Sequence, residues 1–441
     1  MLYEAEGYDA TRWPDSYWRA SCPALPPPCP RLEGETRADM VIIGAGYAGL
    51  NAALELNEQH GADVVVLEAG QPGWGASGRN GGFCCLGGSR LSDAAIRRGF
   101  GEAAVTEWAD YERAAIARVQ DNLARYGIDA QVTEPGELLL ADSPRAWAQM
   151  QAAALAQGAR LMDRAALQAA GLHTGAYLGG LYMPEGFGLH PYAYVTGLAR
   201  AALDAGVRVH GDSRALALVQ DAQGWQVKTA SAVIKARKVL VATNGYSDET
   251  LVPWLRGRIL PAISNIMVTR PLTQSELAAQ GWTRTLMAYD TRTLLHYFRL
   301  LPDNRLLFGA RGGLSFKPAS VADFARRARA EFELIFPGFA QAEAAYHWNG
   351  LVCLTSSAAP YIGSAPGAEG LFCALGWHGN GVAAASEGGR RAARALMGDP
   401  ASPPMITRRA PPRVFLPRKW ALGAGMALAG LVEGRMRAVP G

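Results

Sequence analysis

Residues 38–70 read ADMVIIGAGYAGLNAALELNEQHGADVVVLEAG, and this stretch decides the fold. It opens with a short run of β-forming apolar residues, Met40 to Ile43, and continues with a helical pattern up to Gln59. A second apolar run, Val64 to Leu67, ends at Glu68. A strand, a helix and a second strand in this order are typical of a βαβ unit, so the sequence predicts an α/β fold.

Three glycines between the first strand and the helix point to nucleotide binding. In the spacing Gly44-x-Gly46-x-x-Gly49, Gly44 makes a tight turn, Gly46 lets the backbone approach a pyrophosphate, and Gly49 allows close helix–strand packing. The helix N-terminus then holds the phosphate through its free N–H groups and its dipole. Glu68 lies 19 residues past Gly49, where a carboxylate accepts hydrogen bonds from ribose hydroxyls. The sequence therefore predicts a dinucleotide site.

The composition narrows the class of protein. The chain has 441 residues, of which 49% are hydrophobic and 19% charged, as is usual for globular proteins. A net charge of +4 gives no argument for nucleic acid or for an anionic membrane. The N-terminal residues carry early acidic side chains and no apolar core, so we expect no secretory signal and a cytoplasmic location.

Two further features of the composition bear on membranes and metals. The longest apolar run, Trp420 to Val432, is too short to span a bilayer, so we expect a packed or interfacial segment and no transmembrane segment. The six cysteines form no CxxC pair, and no metal-ligand spacing or disulfide framework is apparent. We therefore expect no metal and a reducing compartment.

A glycine-rich loop distinguishes between the possible dinucleotides. Residues 73–82 read GWGASGRNGG, directly after the βαβ unit. A nicotinamide enzyme would normally continue into another βα unit at this point. A glycine-rich backbone with a cationic Arg79 instead fits a chain laid along an extended cofactor, because glycine allows close approach. A flexible linker is the alternative, and Trp74, Arg79 and Phe83 are not linker residues. The loop favours FAD.

These motifs carry a family resemblance. VIIGAGYAGL (41–50) and VVVLEAGQPGWGASGRNGG (64–82) resemble the glycine/D-amino acid oxidase superfamily of FAD enzymes. Within it, the chain is most similar to the gamma-glutamylputrescine oxidase-like amine oxidases. The resemblance covers roughly residues 36 to 398 and recurs in four later blocks, at 188–213, 238–247, 290–313 and 370–398.

The resemblance implies a Rossmann-like FAD-binding domain of the GR2/DAO type and a discontinuous substrate domain built on an antiparallel sheet. We expect a helix over Glu102 to Tyr126 and substrate-domain strands over Ile259 to Thr269, Arg292 to Arg299 and Leu306 to Ala310. The expected segments are an N-terminal arm (1–37), FAD-binding parts (38–95, 188–250 and 350–398), substrate-domain parts (96–187 and 251–349) and a C-terminal extension (399–441).

The resemblance also implies which residues bind the cofactor. Ala215 is expected near the adenine through its backbone, and Thr243 and Asn244 form a turn that returns to the cofactor. A helix from Gly381 to about Met397 is expected to direct its N-terminal N–H groups at the flavin edge. The expected FAD-binding residues are Gly44, Gly46, Gly49, Glu68, Ala69, Ala76, Ser77, Arg79, Asn80, Gly81, Gly82, Ala215, Thr243, Asn244, Gly376, Gly379, Asn380, Gly381 and Val382.

Five residues are candidates for contact with the substrate: Arg79, Tyr297, Arg299, Trp348 and His378. Tyr297 and Arg299 share one face of a predicted strand, and Arg299 could pair with a carboxylate in bidentate fashion. A surface arginine and a core tyrosine are the alternative. His378 either faces the flavin or is a structural histidine, and Trp348 either walls the site or belongs to the core.

Three functions fit the resemblance. The first is an FAD-dependent oxidase that transfers hydride from an amine or amino acid to flavin N5, gives an imine that hydrolyses, and reoxidises with O2. The second is a dehydrogenase of D-amino or N-methyl amino acids that passes electrons to a quinone or another acceptor. The third is a flavin-binding protein without turnover. The expected partners are a small amine or amino acid and an electron acceptor, and not nucleic acid.

The chain departs from the family pattern at three positions. Asn380 stands where the family usually has histidine, and Leu307 stands at the position matched to an oxygen-activating lysine of sarcosine oxidases. Cys353 is out of register with the cysteine to which those enzymes attach their flavin. We therefore expect non-covalent FAD, with the electron acceptor open.

Overall fold

Two β-sheets organise the computed structural model, which describes residues 2–24, 29–157, 160–434, 436 and 438. Within these residues the strands are β1 (Gly34–Ile43), β2 (Val64–Leu67), β3 (Phe83–Cys84), β4 (Pro135–Leu140), β5 (Arg160–Asp163), β6 (Gly179–Gly188), β7 (Arg208–His210), β8 (Ala217–Asp221), β9 (Gly224–Lys228), β10 (Ala232–Val241), β11 (Ile259–Thr269), β12 (Met287–Asp290), β13 (His296–Leu300), β14 (Leu306–Arg311), β15 (Ala344–Thr355), β16 (Tyr361–Ser364) and β17 (Leu371–Leu375). The helices are α1 (Tyr17–Ala20), α2 (Tyr47–His60), α3 (Asp93–Phe100), α4 (Glu102–Arg125), α5 (Pro144–Gln157), α6 (Arg164–Ala169), α7 (Pro191–Asp204), α8 (Gln274–Gln280), α9 (Pro318–Ile335), α10 (Gly381–Leu396), α11 (Met405–Arg408) and α12 (Arg418–Glu433).

The first sheet has the strand order β16-β17-β10-β1-β2-β7. Its central pairs are parallel, while β16 joins β17 and β9 joins β10 in antiparallel orientation. Strand β2 has the predicted bounds, and α2 and α10 form where the sequence predicts them. Strand β1 ends at the predicted Ile43 but begins six residues earlier than predicted, at Gly34. These elements confirm the α/β fold that the βαβ unit predicts.

The central strands of this sheet are buried on both faces, which explains their continuous apolar sequences. Met40 and Ile42 of β1 pack with residues of α2 and α7 on one face. Val41 and Ile43 pack on the other face with Trp225 and other apolar residues. Neither face therefore shows the polar alternation of a half-exposed strand.

The strand register brings four loops to one edge of the sheet. Ile43 at the end of β1 is paired with Leu67 of β2 and with Val241 of β10. Val241 is in turn paired with Cys373 of β17. Because parallel strands end at the same edge, the loops that follow these strands meet there, where open α/β sheets bind their ligands.

The second sheet has the order β15-β11-β14-β13-β12-β4-β6-β3, with β5 paired to β6. All of its pairs are antiparallel except β4 with β12, which is parallel. The predicted antiparallel sheet is therefore mixed at this pair. Strands β4 and β12 belong to distant chain segments, so no hairpin imposes antiparallel pairing on them.

Strand β13 is shorter than the predicted Arg292 to Arg299. The carboxylate of Asp290 accepts hydrogen bonds from the backbone N–H groups of Arg292 (3.2 Å) and His296 (3.0 Å). These bonds hold residues 291–295 in a turn, so the strand begins only at His296. The predicted helix over 102–126 and strand over 259–269 form as expected.

The described parts of the terminal segments, which the sequence did not place, pack on the rest of the protein. Trp18 of α1 is buried and donates its Nε1 hydrogen to the carbonyl of Asn80. At the other end, α12 lies against the surface. Residues 1, 25–28, 435, 437 and 439–441 of the predicted arm and extension lie outside the described residues. In the described part of the chain, no helix has both the length and the apolar character needed to cross a bilayer.

The domain boundaries stay a prediction. Two parts of the predicted FAD-binding segments pair within the second sheet, namely β3 and residues 350–355 of β15. Sheet membership therefore changes before the predicted boundary at 95 and after the one at 350.

Candidate cofactor and substrate cavity

A large cavity opens where the loop edge of the first sheet faces the second sheet. Its volume is about 360 Å³, within the roughly 300–1,000 Å³ that small-molecule pockets usually enclose. Its walls come from the loops after β1, β2 and β10, the glycine-rich loop, the start of α10 and the facing strands of the second sheet. The space suits an extended cofactor together with a small substrate.

Most of the predicted site residues line this cavity. They are Gly44, Gly46, Glu68, Ala69, Ala76, Ser77, Arg79, Asn80, Gly81, Ala215, Thr243, Asn244, Tyr297, His378, Gly379, Asn380, Gly381 and Val382. The predicted residues that do not line it are Gly49, Gly82, Arg299, Trp348 and Gly376. The role of each residue toward a cofactor or substrate stays a prediction.

The nucleotide loop has the geometry that its sequence predicts. Gly44 has φ of +110°, a conformation that favours glycine. A Cβ at Gly46 would lie 2.8 Å from Oγ of Ser77, and a Cβ at Gly49 would overlap the carbonyl of Gly44. Gly49 therefore serves helix–strand packing, which is why it lies outside the cavity lining.

Glu68 is tied to this loop through both carboxylate oxygens. Oε2 accepts the N–H of Ala45 at 2.9 Å and Oε1 accepts the N–H of Gly70 at 3.1 Å. Burial raises the pKa of Glu68, against the lowering effect of these backbone donors. Each oxygen keeps a second lone pair, so Glu68 can still accept a hydroxyl hydrogen from a ligand.

The glycine-rich loop is shaped by Asn80. Its side-chain amide donates to the carbonyls of Ala76 (3.1 Å) and Ser77 (3.0 Å), and its Oδ1 accepts the N–H of Gly82. The amide is thus already engaged within the loop. The prediction that Arg79 or Asn80 reaches the flavin or substrate is better supported for Arg79.

Arg79 lines the cavity and carries no carboxylate partner among the described residues. Its Nε donates to the carbonyl of Trp74 at 2.7 Å, and its guanidinium carbon lies 4.4 Å from the centroid of the Trp74 ring. Trp348 donates its Nε1 hydrogen to the carbonyl of Arg79 at 2.8 Å. Trp348 is buried behind the loop, so it supports Arg79 and belongs to the core rather than to the cavity wall.

The position of Arg299 differs from the one expected for a residue that pairs with a substrate carboxylate. Arg299 is 1% exposed, and its guanidinium donates to the carbonyls of Gly81 (3.0 Å) and Leu189 (2.6 Å). The backbone of Gly82 covers it on the cavity side, since a Cβ there would overlap both Arg299 and the Leu189 carbonyl. Arg299 fastens the loop and does not line the cavity, so it cannot pair there with a substrate carboxylate.

The second glycine loop places His378 in the cavity wall. His378 has φ of +52°, and its Nε2 lies 3.1 Å from Oγ1 of Thr355. Its Nδ1 is buried and has no partner among the described residues. Burial, followed by the charges of Arg90 and Arg311, lowers the pKa of His378 to about 4. The imidazole is therefore neutral at pH 7, and one ring nitrogen is left for a ligand.

Two contacts join the loops that would flank a flavin. Oδ1 of Asn244 accepts the N–H of Gly376 at 2.9 Å. The amide of Asn380 lies against Leu86 and Cys85, beyond the glycine-rich loop. Helix α10 then begins at Gly381, with its N-terminal residues in the cavity wall.

The facing wall is one side of the second sheet. Tyr297 is paired with Tyr289 and with Gly309, and Ser264 is paired with Arg311, so these side chains share a face. The hydroxyl of Tyr297 lies 3.0 Å from that of Ser264. Burial raises the pKa of Tyr297 and of Tyr289, so both phenols are neutral.

Arg311 is the residue on this wall that sequence reasoning missed. It lines the cavity, and no carboxylate pairs with its guanidinium among the described residues. Burial, with a contribution from Arg90, lowers the pKa of Arg311 to about 10, so it stays cationic at pH 7. Arg311 lies in the 290–313 block, two residues after Gly309 in the predicted strand. Residues two apart in a strand share a face, so this spacing is the signal that could have identified Arg311 from the sequence.

A second missed residue lies on the same face of this sheet, outside the cavity lining. Glu137 of β4 is 0% exposed, and neither carboxylate oxygen has a hydrogen-bond partner among the described residues. Burial raises the pKa of Glu137 to about 8, Cys85 lowers it, and Glu185 and Glu112 raise it further. Glu137 is therefore protonated at pH 7 and adds no negative charge to the cavity.

The cavity has a net positive lining. Its charged residues are Glu68, Asp248, Arg79, Arg90, Arg214 and Arg311. Four guanidinium groups against two carboxylates favour an anionic ligand. In the described part of the chain, no group of His, Cys, Asp and Glu could hold a metal ion.

FAD, the cofactor that the resemblance implies, fits these residues. The cavity lining extends from the nucleotide loop to the second sheet, and the N-termini of α2 and α10 both reach it. Helix N-termini attract phosphate and other negative charge. The buried, unpartnered Nδ1 of His378 is a further polar atom without a protein partner at this site. Gly44, Gly46, Glu68 and the loops at 73–82 and 376–382 would hold the cofactor.

Comparison with known proteins supports the same assignment. The chain is 31% identical over 401 residues to the gamma-glutamylputrescine oxidoreductase of Escherichia coli (strain K12), covering 88% of this chain and 90% of that protein. It is 32% identical over 383 residues to the probable oxidoreductase OrdL of Haemophilus influenzae, covering 85% of each chain. The crystal structure of glycine oxidase from Geobacillus kaustophilus has the same fold, with a TM-score of 0.65, 21% identity, and coverage of 87% of this chain and 98% of that chain.

The family that matches is the one that the sequence motifs predict. The model of the DAO family, described as FAD dependent oxidoreductase, matches residues 39–395. This range contains both glycine loops and all the strands that wall the cavity. The chain therefore belongs to the DAO family of FAD-dependent oxidoreductases, and it is an enzyme whose cofactor is FAD.

Proposed function

We propose that this enzyme oxidises the C–N bond of an amine or amino acid that carries a carboxylate group. The observation that carries the proposal is Arg311, a partly buried cation in the cavity wall without a carboxylate partner among the described residues. A guanidinium that is partly removed from water and has no anion beside it is costly, and a substrate carboxylate would offset that cost through a bidentate pair.

Residues on the sheet wall would orient this substrate. When bound, FAD supplies the acceptor that takes hydride at N5 from the carbon of the C–N bond, leaving an imine that water hydrolyses to a carbonyl compound. Arg311 would hold the carboxylate, and the neighbouring Tyr297 and Tyr289 would close the space around the substrate. Tyr297 is held in place by its contact with Ser264.

The charges in the cavity favour the neutral form of the substrate amine. Arg79, Arg90 and Arg311 all line the cavity and disfavour an ammonium ion there. Hydride leaves a carbon that bears a neutral amine, so lowering the pKa of the bound amine promotes the reaction. His378, with its pKa lowered to about 4, is a weak base at pH 7. The proposal therefore requires no general base from the protein.

The similar proteins support C–N oxidation as the reaction. One relative is named for a glutamylated diamine, and one structural neighbour is named for an amino acid. Both names describe donors with a carbon–nitrogen bond.

The proposed electron acceptor is O2, and a dehydrogenase of D-amino or N-methyl amino acids that reduces a quinone is the second candidate. Leu307 favours the second candidate, because the sarcosine oxidases that this chain resembles carry an oxygen-activating lysine at the matched position. Leu307 is 0% exposed and packs among apolar residues, so no cation approaches oxygen from there.

Anaerobic flavin reduction tests the substrate proposal. The panel would pair amino acids with the amines that lack their carboxylate: glycine with methylamine, sarcosine with dimethylamine, and D-alanine with ethylamine. We expect the carboxylate-bearing members to bleach the flavin faster. Arg311→Met should remove this preference, while Arg311→Lys keeps part of it because lysine retains the charge without the bidentate geometry. Equal rates within every pair would contradict the proposal.

Two simpler measurements complete the assignment. Oxygen consumption during turnover separates the oxidase from a dehydrogenase, which should reduce a soluble quinone analogue instead. Denaturation should release the yellow cofactor into solution, since we propose that FAD is bound without a covalent link. Burial raises the pKa of Cys353 to about 12, which makes this cavity thiol a poor nucleophile.

A further inference from the structure

The outer face of helix α12 is the largest feature that the proposed function leaves unexplained. We define this outer face by Trp420, Leu428, Leu431 and Val432, which are 79%, 62%, 82% and 74% exposed. The other exposed positions of 420–432 are alanine or glycine, so the indole N–H of Trp420 is the one polar side-chain group on this surface. Phe415 and Leu416, just before the helix, are 83% and 67% exposed and continue it. Contiguous apolar patches of this kind mark interaction sites.

The opposite side of α12 fixes the helix on the enzyme. Arg418 forms a bidentate ion pair with Glu249, and Glu433 accepts the backbone N–H of Thr293 at 2.6 Å. Ala429 is buried, and Leu422 packs near Ile263. The helix is attached at both ends, so its apolar side is presented outward in a defined orientation.

The segment around α12 is also strongly basic. Residues 408–441 contain seven basic residues and one acidic residue, whereas the whole chain has a net charge of only +4. The first 407 residues therefore carry a net negative charge. Arg409 and Arg413 are exposed and have no carboxylate partner among the described residues, and Arg413 stacks over Phe415 at 4.9 Å. Positive charge thus lies beside the apolar surface.

We infer that the outer face of α12 and the basic residues before it dock on an anionic lipid bilayer. A helix with an apolar side, an exposed tryptophan and flanking arginines lies in the membrane interface, where apolar burial and attraction to anionic lipids act together. The helix is too short and too tightly attached to the enzyme to cross the bilayer. The enzyme is thereby held at the membrane surface.

Two features favour lipid over a protein partner. A protein interface normally surrounds its apolar centre with a polar rim and forms about one hydrogen bond per 100–200 Å². The outer face of α12 offers one side-chain donor for such bonds, the indole N–H of Trp420, and no side-chain acceptor. Its polar neighbours are instead arginines, which match phosphate headgroups. A dimer formed through this face would also place the arginines of the two copies close together, where they would repel each other.

Sedimentation of the holoenzyme with vesicles tests the inference. The vesicles would contain phosphatidylcholine alone, or phosphatidylcholine with an equal amount of phosphatidylglycerol. We expect binding to the anionic vesicles that weakens with added salt. The double variant Leu428→Ser, Leu431→Ser should reduce binding by about tenfold or more, because it removes two apolar side chains from the lipid contact. Arg409→Ser with Arg413→Ser should reduce the preference for anionic vesicles.

A matched control keeps the test specific. Leu216 and Val219 are also exposed apolar residues, at 55% and 42%, but lie far from α12 in the chain. Leu216→Ser with Val219→Ser should leave vesicle binding unchanged. Melting temperature and flavin content verify that each variant folds, and Trp420→Ser is an independent single variant. No binding to anionic vesicles, or equal binding by the α12 variants, overturns the inference. A lipid-free dimer that the α12 variants dissociate would assign the face to a second copy and overturn it as well.

Discussion

The guanidinium of Arg311 packs directly against the backbone of Gly379. A Cβ built on Gly379 would overlap Nη2 of Arg311, and Gly379 has φ of +103°, which L side chains rarely adopt. The second glycine loop therefore leaves space for the cation that we assign to the substrate carboxylate. This contact joins the second sheet to the loop that opens α10.

Gly379→Ala should displace Arg311 and weaken substrate binding. The new methyl group occupies the space of the guanidinium and strains the backbone, which costs on the order of 1–3 kcal/mol. We expect KM for a carboxylate-bearing substrate to rise by about tenfold or more, with a smaller effect on an amine without a carboxylate. Steady-state kinetics of both substrates checks this, with Gly99→Ala as a control because its Cβ would lie in open space, away from the cavity lining. An equal rise for both substrates would show that the loop acts on the flavin instead.

Gly82→Ala should destabilise the fold rather than alter the flavin. Gly82 has φ of +75°, and its Cβ would overlap the carbonyl of Leu189 and the guanidinium of Arg299. Gly82 does not line the cavity, so we expect the substitution to act by disturbing the packing of the loop against Leu189 and Arg299. We expect a loss of about 1–3 kcal/mol in the free energy of unfolding. Thermal melting, with Gly99→Ala as an open-space control, measures it. Normal stability with loss of FAD would show that this glycine contacts the cofactor.

Glu137 should make stability depend on pH. Burial raises its folded pKa to about 8, above its ordinary value of 4.5. The folded state therefore holds a proton that the unfolded state loses. The contribution of this proton to the free energy of unfolding is fully present below pH 4.5. It is lost as the pH rises toward 8, by up to about 1.4 kcal/mol per pH unit.

Glu137→Gln isolates this effect, because the amide is similar in shape and does not ionise. The variant should gain stability relative to the natural protein as the pH is raised from 5 to 8, which denaturant unfolding at several pH values would measure. The exposed Glu343→Gln should show no such gain. Parallel pH profiles for the natural protein and Glu137→Gln would mean that Glu137 is ionised in the fold.

Glu68→Gln should weaken FAD binding. The carboxylate organises the nucleotide loop through Ala45 and Gly70, and its charge strengthens hydrogen bonds to ribose hydroxyls. Charged hydrogen bonds contribute about 1.5–3 kcal/mol, so the dissociation constant of FAD should rise by about tenfold or more. Titration of the apoprotein with FAD measures it, and the exposed Glu33→Gln serves as the control. Unchanged affinity would place Glu68 away from the ribose.

Much of the nucleotide-binding half could be predicted because its signals are local. The glycine spacing at 44–49, the apolar run at Val64–Leu67 and the acid at 68 lie within one short stretch, and each imposes its conformation through near neighbours. The same holds for the strand at Ile259–Thr269, which forms over the predicted residues. The family follows from these motifs and is confirmed by its match to residues 39–395.

The substrate side was decided by long-range pairing. Tyr297 and Arg299 are two residues apart in one strand, so the sequence predicts the same face for both. The backbone of Gly82 and Leu189, however, covers only Arg299. Arg311 reaches the cavity because its strand pairs with Ser264 in one register, and a shift by one residue would turn it to the other face. Sequence alone determined the cofactor loop, since its glycines act through local geometry. The tertiary structure alone decided which arginine of the second sheet lines the cavity, because that depends on register and burial between distant segments.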